Sequence, residues 1–341
     1  MNSYREGPAL RIRRFDVPHY PFWPATVISP YGKSNSGMIG MDYLALTASG
    51  PFRGDVTVCA DVYDRLAREE LVQTLRPPVL IETSGAAEAI YRQSRGGVRY
   101  CQENALAATT LISSDGVVPE ESRTLAIAAW PMDFDRLSQL AAEVRRLGIP
   151  WGIVVPLIYP LTTEESNLAR LADLAAFNEA AFLTAVTIEL EPSAKQAIAS
   201  SEDRVLDDTA YSQLFHGDLD STTLAIESHV AALAHERKLS DFVIPPDWTE
   251  TTNWNGAVVL TLAATRLIRM KKDVELGWKL IRSAQQLALL DKPIARVAEA
   301  IGLAGLPGID AVSREILESW LVGGESEFLT SLQRQWRSLP S

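Results

Sequence analysis

The chain has 341 residues, 47% of them hydrophobic and 22% charged, and 32 basic against 43 acidic side chains give a net charge of −11. A chain this long buries a sizeable core without disulfides or metals. An acidic balance of this size argues against broad binding to nucleic acid or anionic membrane, which select Lys/Arg clusters.

Two cysteines, Cys59 and Cys101, are too few and too far apart for a disulfide framework or a paired-cysteine metal site, so a reducing, cytoplasmic setting is expected. The N-terminus carries Arg11, Arg13 and Arg14 and no apolar core of a signal peptide. No apolar run reaches the roughly 18 residues of a membrane span. The longest, 256–267, leads straight into Arg and Lys. A local basic patch is left open, for instance around Arg266, Arg269, Lys271 and Lys272.

Residues 1–24 read as an extended arm, because Pro8, Pro18, Pro21 and Pro24 block helix. Tyr20, Phe22 and Trp23 would pin that arm to a core. Residues 25–192 alternate strand and helix signals. Strands are expected at 25–29, 55–60, 78–82, 105–112, 125–130, 151–158 and 185–190. Helices are expected at 64–75, 86–93, 134–147 and 163–177. In the third of these Leu137, Leu140, Ala141, Val144 and Leu147 share a face, and Gly148 ends it; in the fourth the face is Leu168, Leu171, Ala172 and Ala175. Apolar strands alternating with amphipathic helices specify a parallel sheet covered by helices. The fold class expected is therefore α/β: a partial (β/α)6-type, TIM-like barrel of parallel strands with a helical C-terminal region, or a full barrel if later strands are hidden. Residues 193–341 form that region, with helices expected at 223–238, 256–272, 275–290, 310–321 and 326–337 and a short strand at 241–244.

The run from Ser29-Pro30-Tyr31 onward carries a resemblance. Ser34, Met38 and Met41 follow at the C-x3-C-x2-C spacing, with Gly37 and Ile39 between them, and then Asp42-Tyr43-Leu44-Ala45. Residues 50–60 and 61–71 supply a strand and a helix, 78–84 (PVLIETS) a second strand with a polar edge, and 147–165 a further strand and loop. Over 29–192 this resembles the radical-SAM superfamily, in its spore photoproduct lyase-like branch. Those enzymes hold an iron–sulfur cluster with three cysteine thiolates and cleave S-adenosylmethionine (SAM) on it.

All three thiolate positions are replaced here. A serine hydroxyl is no soft anionic ligand, and the neutral thioethers of Met38 and Met41 are poor iron–sulfur ligands. What the resemblance implies is a scaffold without the chemistry, in which Ser34, Met38 and Met41 are vestigial cluster-loop positions. Thr83 and Ser84 then stand at the SAM-facing edge. No cofactor is expected, with SAM and Mg²⁺ left open.

Other patterns are weaker. Gly32-Lys33-Ser34 ends like a phosphate-binding loop, but Val27 stands where that loop needs glycine. The four histidines make no metal set; His229 and His235, six apart on one helix, point to different faces. Glu82, Asp133, Glu189 and Glu191 are carboxylates at or just beyond strand ends, which meet at one mouth in a parallel barrel. There they would serve acid–base chemistry or hold a hard cation; the structural alternative is helix capping. Trp130, Trp151, Trp248 and Trp254 would either line a pocket or fill the core.

Two functional readings follow. One is a cluster-less pseudoenzyme that binds a protein partner, such as an active radical-SAM subunit or a second copy of itself, or a small ligand in the old cavity. Its partner surface would come from the helical half, including Trp320 and Trp336. The other is a lyase- or isomerase-type barrel enzyme using the acidic strand ends.

Overall fold

Six short runs pair into one sheet: β1 (Thr26–Ile28), β2 (Val79–Glu82), β3 (Thr109–Ser113), β4 (Thr124–Ala128), β5 (Trp151–Leu157) and β6 (Phe182–Thr187). Every pairing is parallel, and the strands lie side by side in chain order. These positions come from a computed structural model that describes residues 26–28, 79–82, 109–113, 118, 124–129, 132–157, 162–187, 209, 212, 219–242, 244, 252–288, 290 and 292–339. The chain is thus α/β, with a parallel sheet and many helices. Each strand pairs with its predecessor in the chain. Among the described residues β1 and β6 do not pair, so the sheet has two ends. Past β6 the expected strand at 241–244 is reduced to one parallel bridge, Ser240 to Phe182.

The helix α1 (Phe134–Leu147) has the bounds its sequence specifies. Asp133 caps its first turn, and Gly148 closes its last at φ 69, a left-handed conformation that costs glycine nothing. Asp135 lies in the first turn and Arg145 and Arg146 in the last, which matches the helix dipole at both ends. Four of the five residues expected to share its face are buried; Leu147, in the last turn, is 42% exposed. The helix α2 (Glu165–Phe177) buries Leu168, Leu171, Ala172 and Ala175, the face expected.

The C-terminal region is helical: α3 (Leu219–Glu236), α4 (Asn253–Arg269), α5 (Val274–Ala288), α6 (Ile294–Ile301), α7 (Ala311–Gly323) and α8 (Glu327–Arg337). A single 3-10 turn, Leu303–Gly305, follows α6. In α4 every side chain described between residues 255 and 267 is buried, so it is a central helix with no solvent face. Its Thr261 and Thr265 hydroxyls donate to the carbonyls of Ala257 and Thr261, both at 2.8 Å, which satisfies them without leaving the helix.

The pleat divides the described strands between two cores. Leu125, Ile127, Ile153, Val155, Leu183 and Ala185 join the core made with α1, α2 and α3. Ala126, Ala128, Val154 and Phe182, on the opposite face, belong to the core that contains α4, α5 and α7. Trp151 is buried in the first of these cores, the filling role open to it from sequence. Small residues dominate the second face, and Gly152 shows why. A Cβ there would overlap the ring and carbonyl of Phe182 on the neighbouring strand.

Candidate functional site

The most polar buried place among the described residues lies where β6, α3, α4 and α8 meet. Five ionisable side chains converge there. Arg266 Nη2 donates to Asp241 Oδ2 at 3.0 Å, with the two side chains 4% and 2% exposed. One turn further along α4, Arg269 donates to Glu227 Oε2 from Nε and Nη2, at 3.1 and 2.8 Å. From α8, Gln333 Nε2 donates to Asp241 Oδ1 at 3.5 Å, and Arg337 Nε stands 3.8 Å from Asp241 Oδ2. Three guanidiniums therefore face two carboxylates.

Backbone and ring contacts complete the cluster. Thr184 Oγ1 on β6 donates to the Asp241 carbonyl at 3.1 Å. Ser228 Oγ on α3 donates to the Trp336 carbonyl at 2.7 Å. The Arg266 guanidinium lies over the Trp336 ring, 4.4 Å from its centroid, a cation–π arrangement that gains strength when desolvated. Burial pushes the Arg266 pKa below its usual value; attraction to Asp241 and then Glu227 opposes this, and Arg337 adds to the lowering. A cavity of about 10 Å³ opens among Thr184, Glu227, Asp241, Arg266 and Trp336, the space of about one water.

Chemically, this arrangement is a tie between elements. Each guanidinium faces a carboxylate, and the cavity has no room for an organic substrate. It also answers the basic patch left open at these positions: Arg266 is buried and Arg269 half-buried in ion pairs, and Lys272 bonds Gln335. Trp320 and Trp336, expected on a partner surface, are 4% and 1% exposed and pack inside the chain itself.

Of the sequence-derived site residues, the structure places two. Glu82 is the last residue of β2, its backbone in register with Leu111 of β3. Asp133 follows β4 and is exposed; its Oδ1 accepts from the backbone N–H groups of Asp135 and Arg136 at 3.0 and 3.1 Å. That carboxylate is engaged in helix capping. Ser34, Met38, Met41, Thr83, Ser84, Glu189 and Glu191 lie outside the described residues, and β6 ends at Thr187. Among the described residues no group of three or more His, Cys, Asp or Glu is placed to hold a metal, and no helix is long and apolar enough to cross a membrane. His229 Nε2 lies 4.0 Å from Glu165, and His235 is exposed.

Sequence reasoning missed Asp241, Glu227 and the pairing of Arg266. One signal was available: Arg266 and Arg269 sit three apart, hence on one face, in an otherwise apolar helix. Buried arginines of that kind require partners.

No protein-family model matches this sequence, and neither a curated protein nor a solved structure is significantly similar to it.

Proposed function

We propose that the chain is a non-catalytic scaffold: a partial, TIM-like (β/α) barrel of radical-SAM type that has lost its cluster and works through a protein partner, either an active radical-SAM subunit or a second copy of itself. The observation that carries this reading is the covering of the second sheet face. Side chains of β4, β5 and β6 that would line the inside of a half-barrel belong to the same apolar core as α4. Barrel enzymes build their sites at the strand C-terminal ends; the inner face of an open half-barrel is a second place for a ligand cavity, and here apolar side chains fill it. The sequential parallel order of the six strands supports the barrel part of the reading, and the replacement of all three thiolates by Ser34, Met38 and Met41 supports the loss of chemistry.

The acid-mouth alternative is weakened at the one carboxylate whose side chain is described. Asp133 spends an oxygen on two backbone amides and lies exposed at a helix start.

The test is anaerobic reconstitution of the full chain with iron and sulfide, followed by a SAM-cleavage assay. The scaffold reading expects no absorbance near 400 nm and no 5′-deoxyadenosine. A brown preparation that cleaves SAM would sink it. Size-exclusion chromatography with light scattering, alone and with material from the native host, then looks for a stable homo- or hetero-oligomer. A chain that stays monomeric and unaccompanied in both settings removes the partner half of the proposal.

A further inference from the structure

The cavity between β6, α3, α4 and α8 has two kinds of hydrogen-bonding capacity left over. Arg266 Nε and Trp336 Nε1 are buried donors that reach no protein acceptor. Both residues line the cavity, and they are 3% and 1% exposed. Glu227 and Asp241 line the same space at 7% and 4% exposure. A carboxylate accepts at about four lone-pair sites, so Asp241 carries acceptor capacity beyond its bonds from Arg266 and Gln333. The residues that bear these donors and the two carboxylates thus line one space of about 10 Å³.

We propose that this cavity is a binding site for a single structural water. The water accepts from Arg266 Nε–H and Trp336 Nε1–H and donates its two protons to the Glu227 and Asp241 carboxylates. Charge and size decide against other occupants. A halide would accept from both donors, but it has no proton to give the two carboxylates that share the lining. A metal cation would suit the carboxylates and leave the indole and guanidinium N–H groups pointing at a positive charge. Anything larger does not fit. Water alone offers two lone pairs and two protons in this volume, and buried waters typically make about three bonds to otherwise unsatisfied polar groups. The site is built from three helices: Glu227 comes from α3, Arg266 from α4 and Trp336 from α8. The water therefore joins the last helix to the middle of the chain.

The experiment uses the full-length protein. A high-resolution crystal structure should show a density peak within about 3.2 Å of both nitrogens, with no anomalous signal there after a bromide soak. In solution, the Trp336 indole N–H, identified among the eight tryptophans by its loss in Trp336→Phe, should show direct cross-relaxation with water. A protein atom filling the space, a bromide peak at the site, or an indole proton with no water cross-relaxation would each overturn the proposal. If Trp336→Phe does not fold, the crystallographic result on the unaltered chain decides alone.

Discussion

Replacing Asp241 by Asn removes a charge from the least exposed ion pair among the described residues while nearly keeping its shape. The Arg266 cation then stays buried, 4% exposed, with Glu227 and the Trp336 ring for company and no carboxylate at 3.0 Å. Breaking a buried pair from one side costs about 3–5 kcal/mol, because the remaining charge is uncompensated. Against a total stability of roughly 5–15 kcal/mol this is a large fraction. Replacing both partners, in Asp241→Asn with Arg266→Met, removes the stranded charge and keeps most of the side-chain volume. Such exchanges are often near neutral. The double variant should therefore be more stable than Asp241→Asn alone, with a coupling of at least about 2 kcal/mol in the cycle. Urea unfolding followed by tryptophan emission and by far-ultraviolet circular dichroism measures all four proteins, and the two probes must coincide for the cycle to hold. If Asp241→Asn lies within about 0.5 kcal/mol of the parent, or if the two single effects simply add, the cluster is not the tie described here.

Three further outcomes are expected. Gly152→Ala should destabilise by about 1–3 kcal/mol or more, since its Cβ meets the Phe182 ring and carbonyl; Gly148→Ala, with open space around it but a φ of 69, should cost about 1 kcal/mol through backbone strain alone. Asp133→Ala should lose about 0.5–2 kcal/mol of stability with its cap, and Asp133→Asn only a few tenths; a change in any activity without a change in stability would return Asp133 to the catalytic reading. Asp310 caps α7, and although burial pushes its pKa up, hydrogen bonds from the Ser313 hydroxyl and amide, the Ser283 hydroxyl and the Val312 amide outweigh this and hold it below the usual carboxylate value. Its contribution is therefore fully present above the unfolded value of 3.8 and is lost as pH falls through the lower folded value. Asp310→Asn should flatten the fall in stability below about pH 4 while still capping α7, and acid unfolding curves that superimpose would contradict this.

Legibility in the sequence depended on whether the deciding contact was local. The ends of α1 could be read because Asp133 and Gly148 act on their own neighbours, and the buried face of α2 because helical spacing is a local property. The last strand was placed at 185–190 from an apolar run that begins earlier. Its start at Phe182 is set by pairing with Gly152, which lies thirty residues away. The short helix α6 was not anticipated. It opens behind Pro293, where Ile294 N–H donates to Asn253 Oδ1 and the Asn253 amide donates to the carbonyls of Leu290 and Lys292. No pattern within those eight residues announces that clamp. The charge cluster was hidden for the same reason, since Glu227, Asp241, Arg266 and Trp336 meet only once four elements have packed. The strand expected at 55–60 and the helices expected at 64–75 and 86–93 lie outside the described residues.

The position of α4 has a consequence for the order of events during synthesis. Ala126, Ala128, Val154 and Phe182 leave the ribosome well before residues 253–269, whose helix shares their core. At about 5–20 residues per second, that sheet face waits several seconds for its cover. A nascent chain stopped after residue 192 presents an apolar surface to whatever is nearby, and chaperones are the natural occupants. The helical half is thus also the step that ends that exposure.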